Sequence, residues 1–395
     1  MATDTSGESV ALAHHWLVGM RGGEKVLAAL AELFPEAPVY TLLARPARLD
    51  APLRAARIEA SWLQRFAWIP HLQRLAFPLL ARAARSLDVS AYDVVICSDA
   101  ATIKGVRARA DALKLCYCHS PMRYVWDLYD EYRARAGLPG RIGLKLFSGP
   151  VRRADEAAAE TVTAFVANSR HVAERIRRCY GRASVVIYPP VDVDFPEPLI
   201  TPEDFYVVVG AHVGYKRNDL AIQACNALGR RLVVVGGGPQ LKRMRRLAGP
   251  TVEVLGWQPD EVVRDYLRRC RALLFCGQED FGIVPVEAQA AGRPVIAYGR
   301  GGATETVVNG RTGVFFGEQT VEAVIAAMKN LEARMSEFSP ESIQAHARRF
   351  SAARFRDEFR RFYVWCLELY RAGGPHRVRA AIEQGDLFAG CMNAG

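Results

Sequence analysis

The sequence predicts an α/β protein built from doubly wound parallel sheets, and two observations support this. Short apolar runs rich in Val, Ile and Leu alternate along the chain with amphipathic stretches of helical spacing. The apolar runs are hydrophobic on both faces, as parallel strands covered by helices are. Because a helix pattern repeatedly follows a strand pattern, we expect a doubly wound architecture. The 395 residues allow two or three domains.

Ten segments are predicted strands. Five precede the middle of the chain: Val10–Ala13, Val94–Ser98, Lys114–Cys118, Ala164–Asn168 and Val185–Tyr188. Five follow it: Tyr206–Gly210, Leu232–Gly236, Val252–Leu255, Ala272–Cys276 and Pro294–Ala297. The predicted helices are Glu24–Leu33, His171–Tyr180, Asp219–Leu228, Pro239–Ala248, Asp260–Arg269, Val284–Ala291 and Ala352–Tyr370.

A proline-rich link divides the predicted chain into two domains. Five prolines in Tyr188–Glu203 block regular structure, and the α/β alternation restarts with FYVVVG. We therefore predict a first domain over residues 1–195 and a second over 203–350, two Rossmann-like halves that face each other across a cleft. A helix over 352–372 can pack back on the first domain, and 373–395 is expected to be a loosely ordered tail.

The charge balance points to an anionic partner. Lys and Arg number 52 against 42 Asp and Glu, a net charge of +10. Such an excess suits nucleic acid, a phosphorylated substrate or a membrane surface. The part up to Glu197 holds 26 basic and 21 acidic residues, and the part after it holds the same numbers. No basic tail exists, so an anion site has to be local.

Cysteine usage and hydropathy indicate a location and exclude some classes of site. Nine cysteines form no paired CxxC spacing, which disfavours a zinc site or a disulfide framework. No run of about 18 apolar residues occurs, and the first residues, MATDTSGESV, have neither a basic nor an apolar leader region. We therefore expect a reducing, cytoplasmic location.

The segment Arg271–Tyr298 carries the densest chemical signal. A buried strand ends at Cys276, the loop QEDFG follows, and a helix begins near Ile283. A helix start beyond a strand's carboxyl end favours phosphate binding, because its free N–H groups and dipole attract anions. Glu279 and Glu287 bracket this loop. Spacing alone leaves two readings open: a pair of ligand-binding carboxylates, or a loop acid and a solvated helix acid.

EDFGIVPVE, followed by AQAAGRPVIA and GGATETVVNGRTG, resembles the E-x7-E region of retaining glycosyltransferases with the GT-B fold, family 4. The resemblance extends across nearly the whole chain. Its further segments are GGEKVLAAL, CYCHSPMRYVWD, VANSRHVAERI, VIYPPVDVDF, VVVGAHVGYKRNDLAIQA and VVVGGGPQL. Each segment is weak by itself, but the ordered set is specific.

The resemblance implies three catalytic residues. Lys216 would neutralise the donor diphosphate, Glu279 would bind donor-sugar hydroxyls, and His119 would contact the transferred sugar or the leaving group. Without the resemblance, His119 at a strand end is as readily structural. No carboxylate presents itself as a covalent nucleophile, so we expect front-face attack in which the donor phosphate takes the acceptor proton.

The resemblance also implies a donor-binding set. Glu287 would bind the ribose hydroxyls, and Trp257 is a candidate contact of the base. The family usually has an Arg where Ala211 stands, and Arg217 or His212 could compensate. The predicted donor-binding residues are Gly22, Gly23, Arg217, Gly236, Gly237, Gly238, Phe281, Gly282, Ile283, Val284 and Glu287. A dinucleotide fingerprint is disfavoured, because Leu241 stands where its third glycine belongs.

Two groups of residues keep open alternatives on the acceptor side. Arg123, Tyr124 and Trp126 follow His119 and could line the acceptor site or simply pack against the sheet. Asn168 and Ser169 end a strand and precede a helix, where capping is as good an explanation as ligand contact.

The segment Ser61–Leu87 holds Arg65, Arg74, Arg82 and Arg85, four aromatic residues (Trp62, Phe66, Trp68 and Phe77) and no acid. This composition suits an anionic membrane surface, and it could instead stack on RNA bases. The third alternative is two helices that pack on the sheet. We favour the membrane over nucleic acid, because the resemblance implies a saccharide acceptor that is often lipid-linked.

The resulting expectation is a retaining glycosyltransferase, with CHSPMRYVWD favouring GDP-mannose over a UDP-sugar as donor. The acceptor would be a saccharide or a lipid-linked saccharide in polysaccharide synthesis, with the enzyme peripheral to the inner membrane face. Two rivals remain. A GT-B nucleotide-sugar epimerase would use the same site, and a non-catalytic membrane- or RNA-binding protein would need only the basic segment.

Overall fold

A computed structural model describes residues 7–69, 76–127, 129–135, 137–198 and 201–385. The chain forms two compact units. Unit 1 comprises Met1–Pro190 together with Phe355–Gly395, and unit 2 comprises Val191–Arg354.

Unit 1 is built on a seven-stranded sheet with the order β3-β2-β1-β4-β5-β6-β7 and parallel pairing throughout. The strands are β1 Val10–Leu17, β2 Val39–Ala44, β3 Ile58–Ala60, β4 Val94–Asp99, β5 Leu113–Cys118, β6 Ala164–Ala167 and β7 Ser184–Val186. Parallel strands end at a common edge, so the residues that follow β1, β4 and β5 are neighbours.

Helices cover both faces of this sheet. The α-helices of unit 1 are α1 Gly22–Leu33, α2 Ala51–Ala55, α3 Leu80–Arg85, α4 Tyr129–Arg135, α5 Leu138–Glu160 and α6 Arg170–Tyr180. Short 3-10 helices occupy Pro46–Arg48, Trp62–Phe66, Phe77–Leu79 and Ile103–Gly105. One face packs Leu12 and Ile96 against α1, and the other packs Ala13 and Cys97 against α3 and α6.

Unit 2 has a second, wholly parallel sheet with the order β10-β9-β8-β11-β12-β13. Its strands are β8 Tyr206–Val209, β9 Leu232–Val235, β10 Val252–Gly256, β11 Ala272–Phe275, β12 Val295–Tyr298 and β13 Gly313–Phe316. Its α-helices are α7 Asn218–Leu228, α8 Leu241–Leu247, α9 Asp260–Arg269, α10 Ile283–Ala290, α11 Ala303–Thr306, α12 Val321–Ala333 and α13 Pro340–Ala347. Its 3-10 helices are Gly214–Lys216, Met335–Glu337 and Arg348–Phe350.

All ten predicted strands occur, and the α/β prediction is confirmed. Among the described residues, three further strands were not predicted from the sequence: β2, β3 and β13. Strand β3 has three residues at the sheet edge, too few for a hydrophobic pattern, and β2 is followed by a proline turn instead of a helix pattern. In the basic segment 61–87, the described part contains two 3-10 helices and α3, and residues 70–75 lie outside the described residues.

The end of the chain corrects the expectation of a loose tail from residue 373. Helix α14 runs over Ala352–Gln384, with a kink at Gly373 and Gly374, where the backbone leaves helical geometry. Beyond the kink, Val378 and Ile382 are buried in the same core as Phe355 and Phe359. These apolar contacts explain why the helix continues. Residues 386–395 of the predicted tail lie outside the described residues.

A buried ionic cluster holds the loop after β4 to α5. The Lys104 ammonium donates to Asp99 Oδ2 and to the carbonyl of Ala101, both at 2.9 Å, and also pairs with Asp155. All three charged groups are at most 1% exposed. Burial lowers the pKa of Lys104, but Asp155 and Asp99 outweigh it and hold that pKa well above the ordinary value. Lys104 therefore stays protonated, and its ammonium fixes the loop to α5 through Asp99 and Asp155.

We predict that Lys104→Met lowers the free energy of unfolding by about 3–5 kcal/mol, because two buried carboxylates lose their common cation. Urea denaturation followed by tryptophan fluorescence measures the loss. The control is Arg57→Gln, which breaks an exposed pair with Glu59 and should leave the midpoint unchanged. Equal losses in the two variants would contradict the role assigned to the buried cluster.

Candidate active site

The candidate donor side lies in unit 2, where the loops that follow β8, β9 and β11 pack backbone against backbone. A Cβ on Gly236 (φ 136°) would lie 1.9 Å from the carbonyl oxygen of Gly210. A Cβ on Gly277 would lie 2.6 Å from Cα of Lys216. Only glycine permits such approaches. The glycines therefore bring the Lys216 loop against the loop that carries Glu279.

Lys216 and Glu279 form an ion pair in unit 2. The ammonium Nζ lies 2.8 Å from Glu279 Oε1, and the two side chains are only 15% and 20% exposed. Lys216 ends the 3-10 turn Gly214–Lys216, and Glu279 lies in the loop between β11 and α10. The structure thus brings Lys216 and Glu279 into contact, although they lie 63 positions apart in the sequence. The sequence analysis predicted both residues for one site.

Helix α10 begins beside this pair. Its N-cap residue is Gly282 at φ 90°, and no side chain caps the helix start. Phe281 is buried and packs on the Phe350 ring at a centroid distance of 5.6 Å, which fixes the loop. The predicted residues Ile283 and Val284 form the first turn, where backbone N–H groups and the helix dipole favour an anion. Glu287 is partly buried in the next turn.

The structure also locates the residues considered in place of the Arg at Ala211. Arg217 adopts the left-handed conformation (φ 48°), and its Nε lies 3.3 Å from Asp219 Oδ1. His212 is 1% exposed, and its Nδ1 lies 3.0 Å from Asn218 Nδ2. Burial lowers the pKa of His212, so its ring is neutral at pH 7. A neutral, buried ring supplies no positive charge, which leaves Arg217 as the cationic candidate of the two.

Trp257 lies beside the glycine loop that follows β9. It comes directly after Gly256, at the end of β10, and its side chain is 76% exposed. A Cβ on Gly237 would lie 4.0 Å from Cβ of Trp257. The indole is therefore available for stacking next to predicted donor-binding residues.

In unit 1 a hydrogen-bonded chain of three side chains crosses the ends of β1, β4 and β5. His14 Nδ1 lies 3.0 Å from Ser98 Oγ, and Ser98 Oγ lies 2.8 Å from His119 Nε2. His14 and Ser98 are completely buried. One hydroxyl thus links both rings and orients His119.

The predicted glycines Gly22 and Gly23 belong to the first turn of α1, directly against this chain. A Cβ on Gly23 would lie 3.2 Å from His14 Cε1 and 3.5 Å from His119 Nε2. The N-cap residue Arg21 forms no side-chain cap. The helix start and the His119 ring therefore border one polar region at the carboxyl edge of the sheet.

Burial keeps the neighbouring histidines neutral. The pKa of His14 lies well below its ordinary value because of burial, with a further lowering by His15 and His119. Burial also lowers the pKa of His15 to about 4, against an opposing influence of Asp99. A neutral imidazole has one N–H and one acceptor nitrogen, so the hydrogen bond to Ser98 selects the tautomer of His14.

The predicted acceptor-side residues are held by unit 1 itself. Trp126 Nε1 donates to Asp155 Oδ2 at 3.0 Å, and the Arg152 guanidinium lies 3.8 Å from the centre of a Trp126 ring. The ring of Tyr124 contacts that of Phe77 at 5.3 Å. Arg123 is partly buried. These contacts favour the packing alternative for Trp126 and Tyr124, and they fix the segment that follows His119.

Helix α6 contributes a clamp on the same segment that the sequence reading missed. Arg175 is 3% exposed and donates to Ser120 Oγ at 2.6 Å, to the carbonyl of Pro121 at 3.2 Å and to Asp127 Oδ2 at 2.5 Å. Ser169 is the N-cap of α6, since its Oγ accepts from Val172 N at 3.0 Å. Asn168 donates to the His119 carbonyl at 3.0 Å.

Ser98 and His14 also escaped the sequence reading, although a signal existed. Ser98 ends the predicted strand Val94–Ser98, and His14 directly follows the predicted strand Val10–Ala13. A position at the carboxyl end of a strand is the argument that singled out His119. What the sequence lacks is the strand order, which places β1 and β5 on either side of β4. Among the described residues, no group of three or more acidic, His or Cys side chains could hold a metal ion. Within the same residues, no helix is long and apolar enough to cross a membrane.

Two family models match the chain and together cover most of it. The Glycosyltransferase Family 4 model matches residues 20–195, and the Glycosyl transferases group 1 model matches residues 192–348. With the two parallel α/β sheets, these matches define the class: the chain has the GT-B fold of glycosyltransferases. The chain belongs to glycosyltransferase family 4.

Curated relatives match part of the chain. A GDP-mannose-dependent alpha-(1-6)-phosphatidylinositol monomannoside mannosyltransferase of Mycobacterium tuberculosis is 31% identical over 195 residues, 41% of this chain and 51% of that protein. A D-inositol 3-phosphate glycosyltransferase of Gordonia bronchialis is 26% identical over 267 residues, 58% of each. The chain thus spans about half the length of the curated relatives it matches.

Solved structures show the same fold at low identity. Sucrose-phosphate synthase from Thermosynechococcus elongatus superposes with a TM-score of 0.69 at 16% identity, covering 91% of this chain and 99% of that one. The Anabaena protein Alr3699/HepE in complex with UDP gives 0.64 at 17% identity, covering 90% and 99%.

We predict that Ser98→Ala lowers the free energy of unfolding by about 1–3 kcal/mol, because the buried Nδ1 of His14 and the partly buried Nε2 of His119 lose their common partner. Urea denaturation measures the effect. The matched control is Thr102→Val in the following loop. The Thr102 hydroxyl is buried without a hydrogen-bond partner, so its removal should be neutral or stabilising. A Ser98→Ala protein as stable as the Thr102→Val protein would show that the hydroxyl bridge contributes nothing.

Proposed function

We propose that this glycosyltransferase is a retaining enzyme that moves mannose from GDP-mannose to a saccharide or a lipid-linked saccharide. The Lys216–Glu279 ion pair beside the start of α10 carries the proposal. A nucleotide sugar makes two opposite demands on a site: a cation for its diphosphate and hydrogen-bond acceptors for its sugar hydroxyls. An ammonium and a carboxylate held 2.8 Å apart meet both demands at one place.

The diphosphate charge is assigned to groups of unit 2. Lys216 contacts one phosphate, and the N–H groups at the start of α10 face the other. Arg217 adds positive charge in the adjoining loop, partly offset by Asp219. Glu287, one turn into α10, binds the ribose hydroxyls. The proposal requires neither a resident metal ion nor a cofactor.

The reaction is assigned to front-face attack. The bond between the anomeric carbon and the diphosphate oxygen breaks, and the acceptor oxygen bonds to that carbon on the same face. The acceptor proton passes to the departing diphosphate oxygen, so configuration is retained and charge balances. Lys216 stabilises the negative charge that develops on the leaving group, and Glu279 orients the sugar.

Two observations support the choice of donor. The segment CHSPMRYVWD resembles members that use GDP-mannose, and the Mycobacterium tuberculosis relative is a GDP-mannose-dependent mannosyltransferase. Trp257, exposed beside the glycine loop, is the proposed contact of the base. Alr3699/HepE was solved with UDP and with UDP-glucose, which makes a UDP-sugar the alternative to test.

The acceptor is assigned to the polar region of unit 1 around His119, with Arg123 beside it. The same relative acts on phosphatidylinositol monomannoside, according to its name. A lipid-linked saccharide is therefore the preferred acceptor class, used by an enzyme peripheral to the inner face of the cell membrane in polysaccharide synthesis.

We predict that Glu279→Gln lowers kcat/KM by about 10- to 100-fold, because the sugar loses hydrogen bonds to a charged acceptor. Steady-state release of nucleoside diphosphate measures the effect. The control is Glu337→Gln, which alters an exposed carboxylate that pairs with Arg334 and should keep normal kinetics. Normal turnover and unchanged donor affinity in Glu279→Gln would remove this residue from the site.

We expect GDP to raise the melting temperature and UDP to leave it unchanged, because a ligand that binds only the folded state stabilises it. Lys216→Ala should reduce the shift produced by GDP. Stabilisation by UDP with none by GDP would overturn the choice of donor. A shift by neither nucleotide would favour the non-catalytic alternative.

The full function is tested by a mass-spectrometric screen of nucleotide sugars with extracted lipid-linked acceptors. The proposal expects a product heavier by one hexose, formed only when GDP-mannose and acceptor are both present. Conversion of the donor sugar without acceptor would identify a nucleotide-sugar epimerase instead.

A further inference from the structure

Helix α5 exposes an apolar stripe on the side opposite its buried face. Leu138, Ile142 and Leu146 follow one another at intervals of four residues and are 72%, 51% and 61% exposed. Residues four apart lie on the same face of a helix. The opposite side carries Val151, Asp155 and Ala158, which are buried. The helix is thus anchored through its second half and presents aliphatic side chains to solvent along its first half.

The charges that α5 itself carries along this stripe have one sign. Residues 138–154 contain Arg141, Lys145, Arg152 and Arg153 and no acidic residue. Arg141, Lys145 and Arg153 are exposed. On the helical wheel, Lys145 lies beside Leu138, and Arg153 lies between Ile142 and Leu146. An aliphatic stripe bordered by cations is the pattern of a helix that lies in the interface of an anionic bilayer.

The basic segment singled out from the sequence lies next to α5. Ala81 and Arg85 of α3 line a small cavity together with Ala154 and Ala158 of α5, so the two helices are packed side by side. Leu79, at the start of α3, is 41% exposed, and Arg82 and Arg85 are exposed on the helix. The cationic surface therefore extends from α5 to α3.

We propose that the exposed face of α5, residues 138–153, docks on a lipid bilayer that carries anionic headgroups. Leu138, Ile142 and Leu146 enter the boundary between headgroups and acyl chains. Arg141, Lys145 and Arg153 contact the lipid phosphates. This surface is separate from the proposed donor site in unit 2, and its test needs neither nucleotide sugar nor acceptor.

The chemistry of the face favours a bilayer over other occupants. Single-stranded RNA is held by aromatic side chains on which bases stack, and the three stripe residues are aliphatic. The exposed Phe147 lies about 100° around the helix from Leu146, away from the stripe. In an isologous dimer, the same patch of both subunits would be in contact, so that the cations of one copy would repel those of the other. A bilayer alone offers anionic phosphates and an apolar layer side by side.

The test is sedimentation of the full chain with vesicles of phosphatidylcholine, with and without phosphatidylglycerol. We expect binding that depends on phosphatidylglycerol. The double variant Ile142→Ser and Leu146→Ser should bind about tenfold more weakly, because it removes two side chains that the lipid would bury. Lys145→Gln should bind about fivefold more weakly, through the loss of one charge near the anionic surface.

Matched controls come from exposed residues elsewhere. Val364→Ser on α14 removes an apolar side chain that is 39% exposed, and Lys329→Gln on α12 removes an exposed cation. Both should bind vesicles like the unmodified chain, and all variants should keep its melting temperature. Equal binding to both kinds of vesicle, or no binding, overturns the proposal.

Two further outcomes also overturn it. Sedimentation velocity could reveal a dimer that the double serine variant abolishes, which would assign the face to a second copy. A single-stranded RNA could bind the chain with an affinity that Lys145→Gln weakens and the double serine variant leaves unchanged, which would assign the cations to nucleic acid.

Discussion

Parallel pairing is the constraint on which the candidate site depends. Every strand in both sheets pairs in parallel, so each sheet has a single edge at which its strands end. Polar side chains in the last residues of the strands and in the loops that follow them have to gather there. Lys216 and Glu279 meet at this edge in unit 2, and His14, Ser98 and His119 meet at it in unit 1. Each sheet thus brings polar side chains together at one edge without a long structured loop.

Close packing of the loops fixes the positions of these side chains at the sheet edge. Gly236 and Gly277 let neighbouring loops touch backbone to backbone, which no larger residue would permit. In unit 1, Gly23 plays the corresponding part against the rings of His14 and His119. Because these glycines have no side chain, the neighbouring segments can approach closely. That close approach fixes the positions of the Lys216–Glu279 ion pair and of the His14–Ser98–His119 hydrogen bonds.

Buried charges support the candidate site of unit 1. Lys104 joins the loop after β4 to Asp155 of α5, Trp126 bonds to the same carboxylate, and Arg175 holds the backbone after His119. The second half of α5 thereby braces the candidate site. Its first half carries the aliphatic and cationic face that we assign to a bilayer. One helix would then link the attachment of the enzyme to the geometry around His119.

The sequence by itself determined the fold class, ten of the thirteen strands found in the described residues, and the loop and helix that carry Glu279 and Glu287. These features are local: strand and helix periods are written in consecutive residues, and Glu279, Gly282 and Glu287 lie within one loop and helix. Tertiary structure alone decided that Ser98 bridges two histidines, one of them 84 residues away, and that Lys104 finds Asp155 across 51 residues. It also decided which face of α5 stays exposed. These contacts between residues far apart in the sequence depend on strand order and helix packing, and no local sequence pattern encodes either of them.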